Sequence, residues 1–296
     1  MMSGNKLLTI VTITFNRQKE LVGLYNSLRH QTSYNFKWLV LDDGSDDKTV
    51  DYIIKVKQEA PFQVKLIKNK NIGKYKEMNK VFPIIDTELL LFLDSDDYLI
   101  DDGVEMIQEK WEQYQNDSNI GSLIFERGNG NDKDPFYKIS QEIISHRYYY
   151  LIKNKQYGDY SDVFVTKHIK SYRFPEFSGE KFMSEGPLYY WLSQKYKSIF
   201  IPNILTIGAY QTGGLTRNIR KNQINNYQGT LYETNLYLNK DTPFLFRIKK
   251  AILFNYVTLK SPQNYRKVFL HSEHKFLLCI SLLPAYLLSL KKIDVS

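Results

Sequence analysis

Three aspartates fall within four positions at the end of an apolar run: LLLFLDSDD, residues 89–97, delivers Asp94, Asp96 and Asp97 into one turn. That much negative charge repels itself unless a cation joins it, and hard carboxylate oxygens suit Mg2+ or Mn2+. Such a cation suits a diphosphate in turn, because the phosphates supply the remaining ligands and the metal neutralises charge on a departing diphosphate. The plainer reading is an acidic loop in which Asp97 caps the next helix. A second acidic turn, LDDGSDDKT at 41–49, starts with Asp42 at a strand end. A carboxylate there accepts hydrogen bonds from a base imino group or a ribose hydroxyl, although turn chemistry and an N-cap explain most of the segment. In KNKNIGKYKEMN (68–79), Gly73 permits close backbone approach before a helix N-terminus, where Lys74 offers positive charge to phosphate. This is no Walker motif, since the spaced glycines and the Ser/Thr after Lys are missing. Glu180 and Glu185 stand in FPEFSGEKFMSEGPLYYW (174–191), an irregular loop entering a helix. A Glu in such a place often only complements the helix dipole.

The elements that must position these residues alternate regularly. Leu7–Thr14, Trp38–Leu41, Val64–Ile67 and Leu89–Leu93 are apolar runs of strand length. Between them Lys19–Arg29, Thr49–Gln58 and Lys74–Ile85 have helical character. This order predicts an α/β fold with right-handed crossovers and a mostly parallel sheet covered on both faces. Ligands of such sheets bind beyond the carboxyl ends of the strands. Thr14 and Asn16 follow the first strand, Asp42 and Asp43 the second, Asn69, Asn71 and Gly73 the third, and Asp94, Asp96 and Asp97 the fourth. Four such coincidences along one rim describe a binding site. Further on, the pattern predicts a helix over Val104–Tyr114, a strand at Ser122–Phe125 and a loop from Arg127 to Pro135. A helix over Ile143–Lys153, a strand at Asp162–Thr166 and a helix over Pro187–Tyr196 follow. Strands at Ile199–Ile201 and Leu205–Ile207 come next, then helices beyond Thr216 broken at Pro243 and Pro262.

The 296 residues suffice for one large α/β domain with an appendage, or two small domains. The single cysteine, Cys279, excludes an intrachain disulfide framework and a cysteine-based zinc site, and it suits a reducing compartment. The first apolar run is short, β-branched and followed by Asn16 and Arg17, which reads as a strand and not a secretion signal.

Together the motifs resemble family 2 of the glycosyltransferases, over roughly residues 6–215. TITFNR (12–17) looks like the family's opening TPTYNR, with Ile13 for Pro, and LDDGSDDKT resembles VDDGSxDxT. NIGKYKEMN is similar to NGGKHxAxN, and LDSDD is similar to the DxD stretch. GEKF (179–182) with Glu185 resembles the GEKFxxE form of a bacterial surface-polysaccharide subset, and YQTGGLTRN (210–218) looks like that subset's YxxDGLTxN, with Gly213 for Asp. The resemblance implies a GT-A fold in residues 1–215 and an inverting transfer from a nucleotide diphosphate sugar, uridine being the commonest base, to a glycan or lipid-linked hydroxyl. It implies that Thr14, Asn16 and Asp42 face the nucleoside, and that Lys74 and Asn79 line the donor cleft. Asp94 and Asp96 would form the DxD pair, with Asp96 in direct contact with Mn2+ or Mg2+, and Glu185 would be the catalytic base. The alternatives are a non-catalytic nucleotide-sugar or membrane-surface binder on the same fold, and a haloacid-dehalogenase-type phosphatase. The phosphatase would want DxDGT where this chain reads DSDDY.

Residues 216–296 carry 13 Lys and Arg against 4 Asp and Glu, a balance of +9, while the rest of the chain sums to −1. No aromatic-basic RNA motif accompanies this charge, so a nucleic-acid partner is not expected. Phe276–Leu290 is an uncharged run flanked by Lys275, Lys291 and Lys292. It falls short of the ~20 residues that span a bilayer, and Pro284 should break it. A buried helix is one reading. The other is a helical C-terminal extension that lies peripherally on the inner face of the cytoplasmic membrane.

Overall fold

The computed structural model describes residues 6–130, 134–156, 158–208 and 219–290. The elements in chain order are β1 (Leu8–Thr14), α1 (Gln18–Arg29), β2 (Phe36–Asp42), α2 (Thr49–Glu59), β3 (Gln63–Lys68) and α3 (Lys74–Val81). Then come β4 (Leu89–Phe92), β5 (Asp97–Leu99), α4 (Gly103–Tyr114), β6 (Ile120–Asn129), β7 (Ile143–Ser145), α5 (Arg147–Lys153), β8 (Tyr160–Val165) and α6 (Thr166–Ile169). The remainder is α7 (Gly186–Ser193), β9 (Lys197–Gly208), α8 (Ile219–Asn225), α9 (Tyr227–Leu236), α10 (Phe244–Lys260), α11 (Tyr265–His271) and α12 (Lys275–Leu290).

One sheet runs β3-β2-β1-β4-β8-β6-β9-β5, with β7 also paired to β9. The first four strands are parallel, as the βα alternation predicts. Beyond β4 the sheet is mixed: β8 is antiparallel to both neighbours, β6 and β9 are parallel, and β5 and β7 pair antiparallel with β9. Strand alternation splits the core in two. Leu8, Ile10, Trp38 and Val40 pack under α1, α2 and α4. Val11, Leu39 and Leu41 face the other way, against α3 and α7.

Four expectations change. Residues 143–146 are not the start of a helix; Ile143–Ser145 form edge strand β7, and α5 begins at Arg147. The loop expected from Arg127 is strand as far as Asn129, because β6 follows β9 through irregular register to Gly208. Ile199–Ile201 and Leu205–Ile207 belong to one strand, β9. Pro284 does not stop its helix; α12 runs through it.

Beyond β9, α9 and α12 both pack on α10. Asn255 in α10 is fully buried and donates to Leu278 O and Ser281 Oγ of α12 at 2.8 and 2.9 Å. This polar lock fixes which side of α12 faces inward.

Candidate active site

The carboxyl ends of β1 and β4, the turn into β5 and the loop before α7 border one open cavity of about 1440 Å3. Thr14, Lys74, Asp94, Asp96 and Glu185 line it. Lys74 opens α3 and sits at its centre. Its ammonium is 2.8 Å from Asp94 Oδ1 and 2.9 Å from Glu185 Oε1. Burial alone would lower the Lys74 pKa, but the two carboxylates hold it well above the ordinary lysine range. Lys74 in return lowers the Asp94 pKa, and Arg127 contributes to the same shift. Asp94 and Glu185 are 91 positions apart in sequence, and a single cation joins them.

Asp96 also lines the cavity, and no hydrogen bond or ion pair ties its carboxylate among the described residues. Asp97 does not cap a helix. It lies in β5, bound by Arg127 of β6 through Nη2 at 2.6 Å and Nε at 3.1 Å. Burial nevertheless pushes the Asp97 carboxyl up to about 6, against the pull of Arg127 and with Asp94 and Asp96 adding to the rise.

The loop carrying Lys74 is held by the second acidic turn. Asp43 accepts from the amides of Ile72 and Gly73 at 2.7 and 2.9 Å, and it is Asp43, not Asp42, that lines the cavity. Gly73 has φ +98°, and a Cβ there would lie 2.0 Å from the Lys181 carbonyl oxygen. The Glu185 loop thus rests directly on the backbone before Lys74, an approach only glycine permits.

Asp42 instead accepts from Gly44 N and Ser45 N through Oδ2. Its buried Oδ1 and the buried Oγ1 of Thr14, at paired positions of β1 and β2, have no hydrogen-bond partner among the described residues. Polar atoms left so in a folded chain call for a ligand or water. Asn16 does not line the cavity. Its side chain donates to Asp46 Oδ1 and accepts from Asp46 N, closing the first rim turn onto the second.

Asn79, expected in the donor cleft, is not among the residues that line this cavity either. Its amide donates to Phe174 O at 2.9 Å and accepts from Phe174 N at 2.7 Å, and it also reaches Glu176. It is a clamp at the base of the loop that carries Glu185. Asn79→Ala is therefore expected to cost about 1–3 kcal/mol of stability by orphaning a buried amide and carbonyl, read in urea unfolding. Affinity for a nucleoside diphosphate should change little in the same variant; a large loss of affinity at unchanged stability would return Asn79 to the cleft.

The two loop glutamates have separate work. Glu180 is 4% exposed and accepts from Gln228 N and Gly229 N at 2.8 and 2.9 Å, satisfying the first turn of α9. Glu185 lines the cavity at the entry to α7.

Sequence reasoning missed the far wall. Arg147 of α5 and Asp162 of β8 form a buried two-point ion pair at 2.7 and 2.9 Å, and the guanidinium lies 3.5 Å from the Tyr189 ring centre. All three line the cavity. No local pattern marks Arg147 in RYYYLIK, because its partner arrives only when β8 enters the sheet. The segment YQTGGLTRN lies outside the described residues.

Residues 9–176, more than half of the chain, match the model of glycosyl transferase family 2. An uncharacterized glycosyltransferase of Haemophilus influenzae is 33% identical over 111 residues, 37% of this chain and 36% of that protein's own length. The crystal structure of a TarS fragment from S. aureus in complex with UDP-GlcNAc superposes with a TM-score of 0.60 at 17% identity, covering 94% of this chain and 80% of that one. A mannosyltransferase of Pyrobaculum calidifontis, in complex with GDP-Man and Mn2+, gives 0.57 at 12% identity, covering 99% and 89%. At such identities the structural likeness speaks for the fold, which is the expected GT-A arrangement with a helical C-terminal region.

Proposed function

The chain belongs to glycosyl transferase family 2, and from that premise we propose that it moves a sugar from a nucleotide diphosphate donor to an acceptor hydroxyl, with inversion and with a divalent cation. The observation that carries this reading is the meeting of Lys74, Asp94 and Glu185 at one point of the cavity. A phosphate-binding cation, an acidic donor-side residue and a carboxylate base are the groups this displacement needs, and the contacts of Lys74 with both carboxylates support assigning those roles to these three residues.

The donor's nucleoside would lie along the ends of β1 and β2, where Thr14 Oγ1 and Asp42 Oδ1 lack partners. A uridine donor is the first to test, since a fold neighbour was solved with UDP-GlcNAc. Lys74 would hold the diphosphate. The described residues contain no group of three or more His, Cys, Asp or Glu able to hold a metal ion. Asp94 and Asp96 still fit a hard cation that arrives with the nucleotide, since phosphate oxygens and water can complete its shell. When bound, that ion supplies charge neutralisation at the diphosphate.

Glu185 takes the proton from the acceptor hydroxyl as its oxygen attacks the anomeric carbon. The bond from that carbon to the diphosphate breaks, and its electron pair leaves on the phosphate oxygen beside Lys74. The cavity exceeds the roughly 300–1,000 Å3 of a single small-molecule site, which leaves room for an acceptor along Tyr189 and the Arg147–Asp162 pair. A glycan or lipid-linked acceptor of bacterial surface-polysaccharide assembly suits this enzyme, met at the inner face of the cytoplasmic membrane to which the basic C-terminal region brings it. Incubation with Mn2+ and a panel of nucleotide sugars should release nucleoside diphosphate from one or a few of them. Release from none, by folded protein, would favour a non-catalytic binder on this fold.

A further inference from the structure

The helix α12 is inside out for a helix that packs only against protein. Its inward side presents Ser281 and Ala285 together with Leu277 and Leu278. Its outward side presents Phe276 (71% exposed), Ile280, Leu283 (66%), Tyr286, Leu287 and Leu290 (63%). Positions 276, 280, 283, 287 and 290 follow helical spacing and make one continuous stripe. No charged residue interrupts residues 276–290. Scattered exposed apolar side chains are ordinary, but a contiguous stripe of this kind marks a surface that is covered in use.

We propose that this outward face of α12 docks on an anionic lipid surface, with the helix lying in the plane of the membrane interface. The reading rests on the C-terminal attachment proposed above and is independent of the transfer chemistry. One observation chooses lipid over protein as the occupant, and a second chooses lying on the bilayer over spanning it. The first is charge: residues 260–292 carry six Lys and Arg against the single acid Glu273. Arg266, Lys267 and Lys275 are exposed and precede the stripe in sequence, and Leu270 of α11 is a further exposed apolar side chain, at 55% exposure. Basic side chains bordering an apolar stripe match anionic headgroups above an acyl layer. A second copy of the chain on the same face would instead bring two basic borders together. The second is length. No helix among the described residues is long and apolar enough to cross a membrane. The 16 residues of α12 reach about 24 Å at 1.5 Å per residue, short of the ~30 Å hydrocarbon layer. The helix therefore lies on the bilayer and does not span it. The Asn255–Ser281 lock holds its inward side to α10, so that the stripe is presented as a fixed surface of the folded protein.

Flotation of the full chain with phosphatidylcholine vesicles, with and without phosphatidylglycerol, tests this. Binding to the anionic vesicles is expected, with weak binding to neutral ones and a decline as salt rises. Leu283→Gln with Leu287→Gln should lower vesicle affinity by at least about tenfold, equivalent to losing the burial of one leucine side chain. Thermal melting would show that this double variant folds. As a second report, Leu283→Trp should give blue-shifted emission on anionic vesicles. Equal binding of wild type and double variant, or no binding by wild type, would overturn the proposal. So would a wild-type dimer that the double variant dissolves while neither protein binds vesicles. Nucleoside diphosphate release in vesicle-free buffer, measured in parallel, tests the transferase reading separately, because that reaction does not need α12 to be covered.

Discussion

Replacing Glu185 by Gln is expected to lower kcat by about 10²–10⁴, the usual worth of a positioned general base, while donor affinity stays near that of the wild type. Glutamine keeps the shape of the side chain and can still hydrogen-bond to Lys74, but it cannot take a proton. The internal control is Glu180, five residues earlier in the same loop. Both glutamates were candidates in the sequence, and their surroundings separate them. The Glu180 carboxylate is occupied by two amides of α9, whereas Glu185 faces the cavity beside Lys74. Glu180→Gln should therefore lower the melting temperature and leave kcat of the folded fraction largely intact. A dead Glu180→Gln beside a normal Glu185→Gln, in steady-state kinetics on folded protein, would reverse the assignment.

The second large effect is expected at Asp96. Asp94 is held by Lys74 and Asp97 by Arg127, so Asp96 is the member of the DSDD turn left to face a cation. Asp96→Ala should nearly abolish transfer and weaken Mn2+-dependent donor binding, as measured by titration calorimetry with and without the metal. Asp97→Ala should act differently. It removes the two-point partner of Arg127, leaving the longer contact with Asp159, and so loosens β5 against β6; it should destabilise the fold and leave any dependence on Mn2+ in place. Full wild-type activity in excess EDTA would remove the cation from the mechanism.

The rim of the site was legible in the sequence because it follows from strand ends. Apolar runs of four to eight residues locate the parallel strands, and the polar residues behind them must gather along one edge. What a strand end does not fix is which of two neighbours turns inward. Asp42 and Asp43 illustrate this: the first serves its own turn, while the second crosses to the Gly73 amide and borders the cavity. Motif resemblance likewise put Asn79 in the cleft, yet its amide is spent on Phe174, 95 positions away, a contact with no local signature. The second half of the sheet was harder for the same reason. Strands β5 and β7 are three residues each and exist because β9 offers them an edge, so no periodicity announces them. The Arg147–Asp162 pair needs α5 and β8 to be placed before either residue has a meaning. For α12, composition showed an apolar run without telling core from surface. The structure resolves it into both, with Leu277, Leu278, Ser281 and Ala285 inward and a stripe of large apolar side chains outward. The phosphatase alternative is set aside by the family match across residues 9–176.

The position of a bound donor is the most direct test of these roles. A crystal structure of the Glu185→Gln variant with an active nucleotide sugar and Mn2+ measures that position. The nucleoside is expected at the ends of β1 and β2 beside Thr14, the diphosphate against Lys74 and a cation on Asp96, with the anomeric carbon turned toward residue 185. A nucleotide bound away from Lys74, or an anomeric carbon on the far side of the diphosphate from residue 185, would contradict these roles.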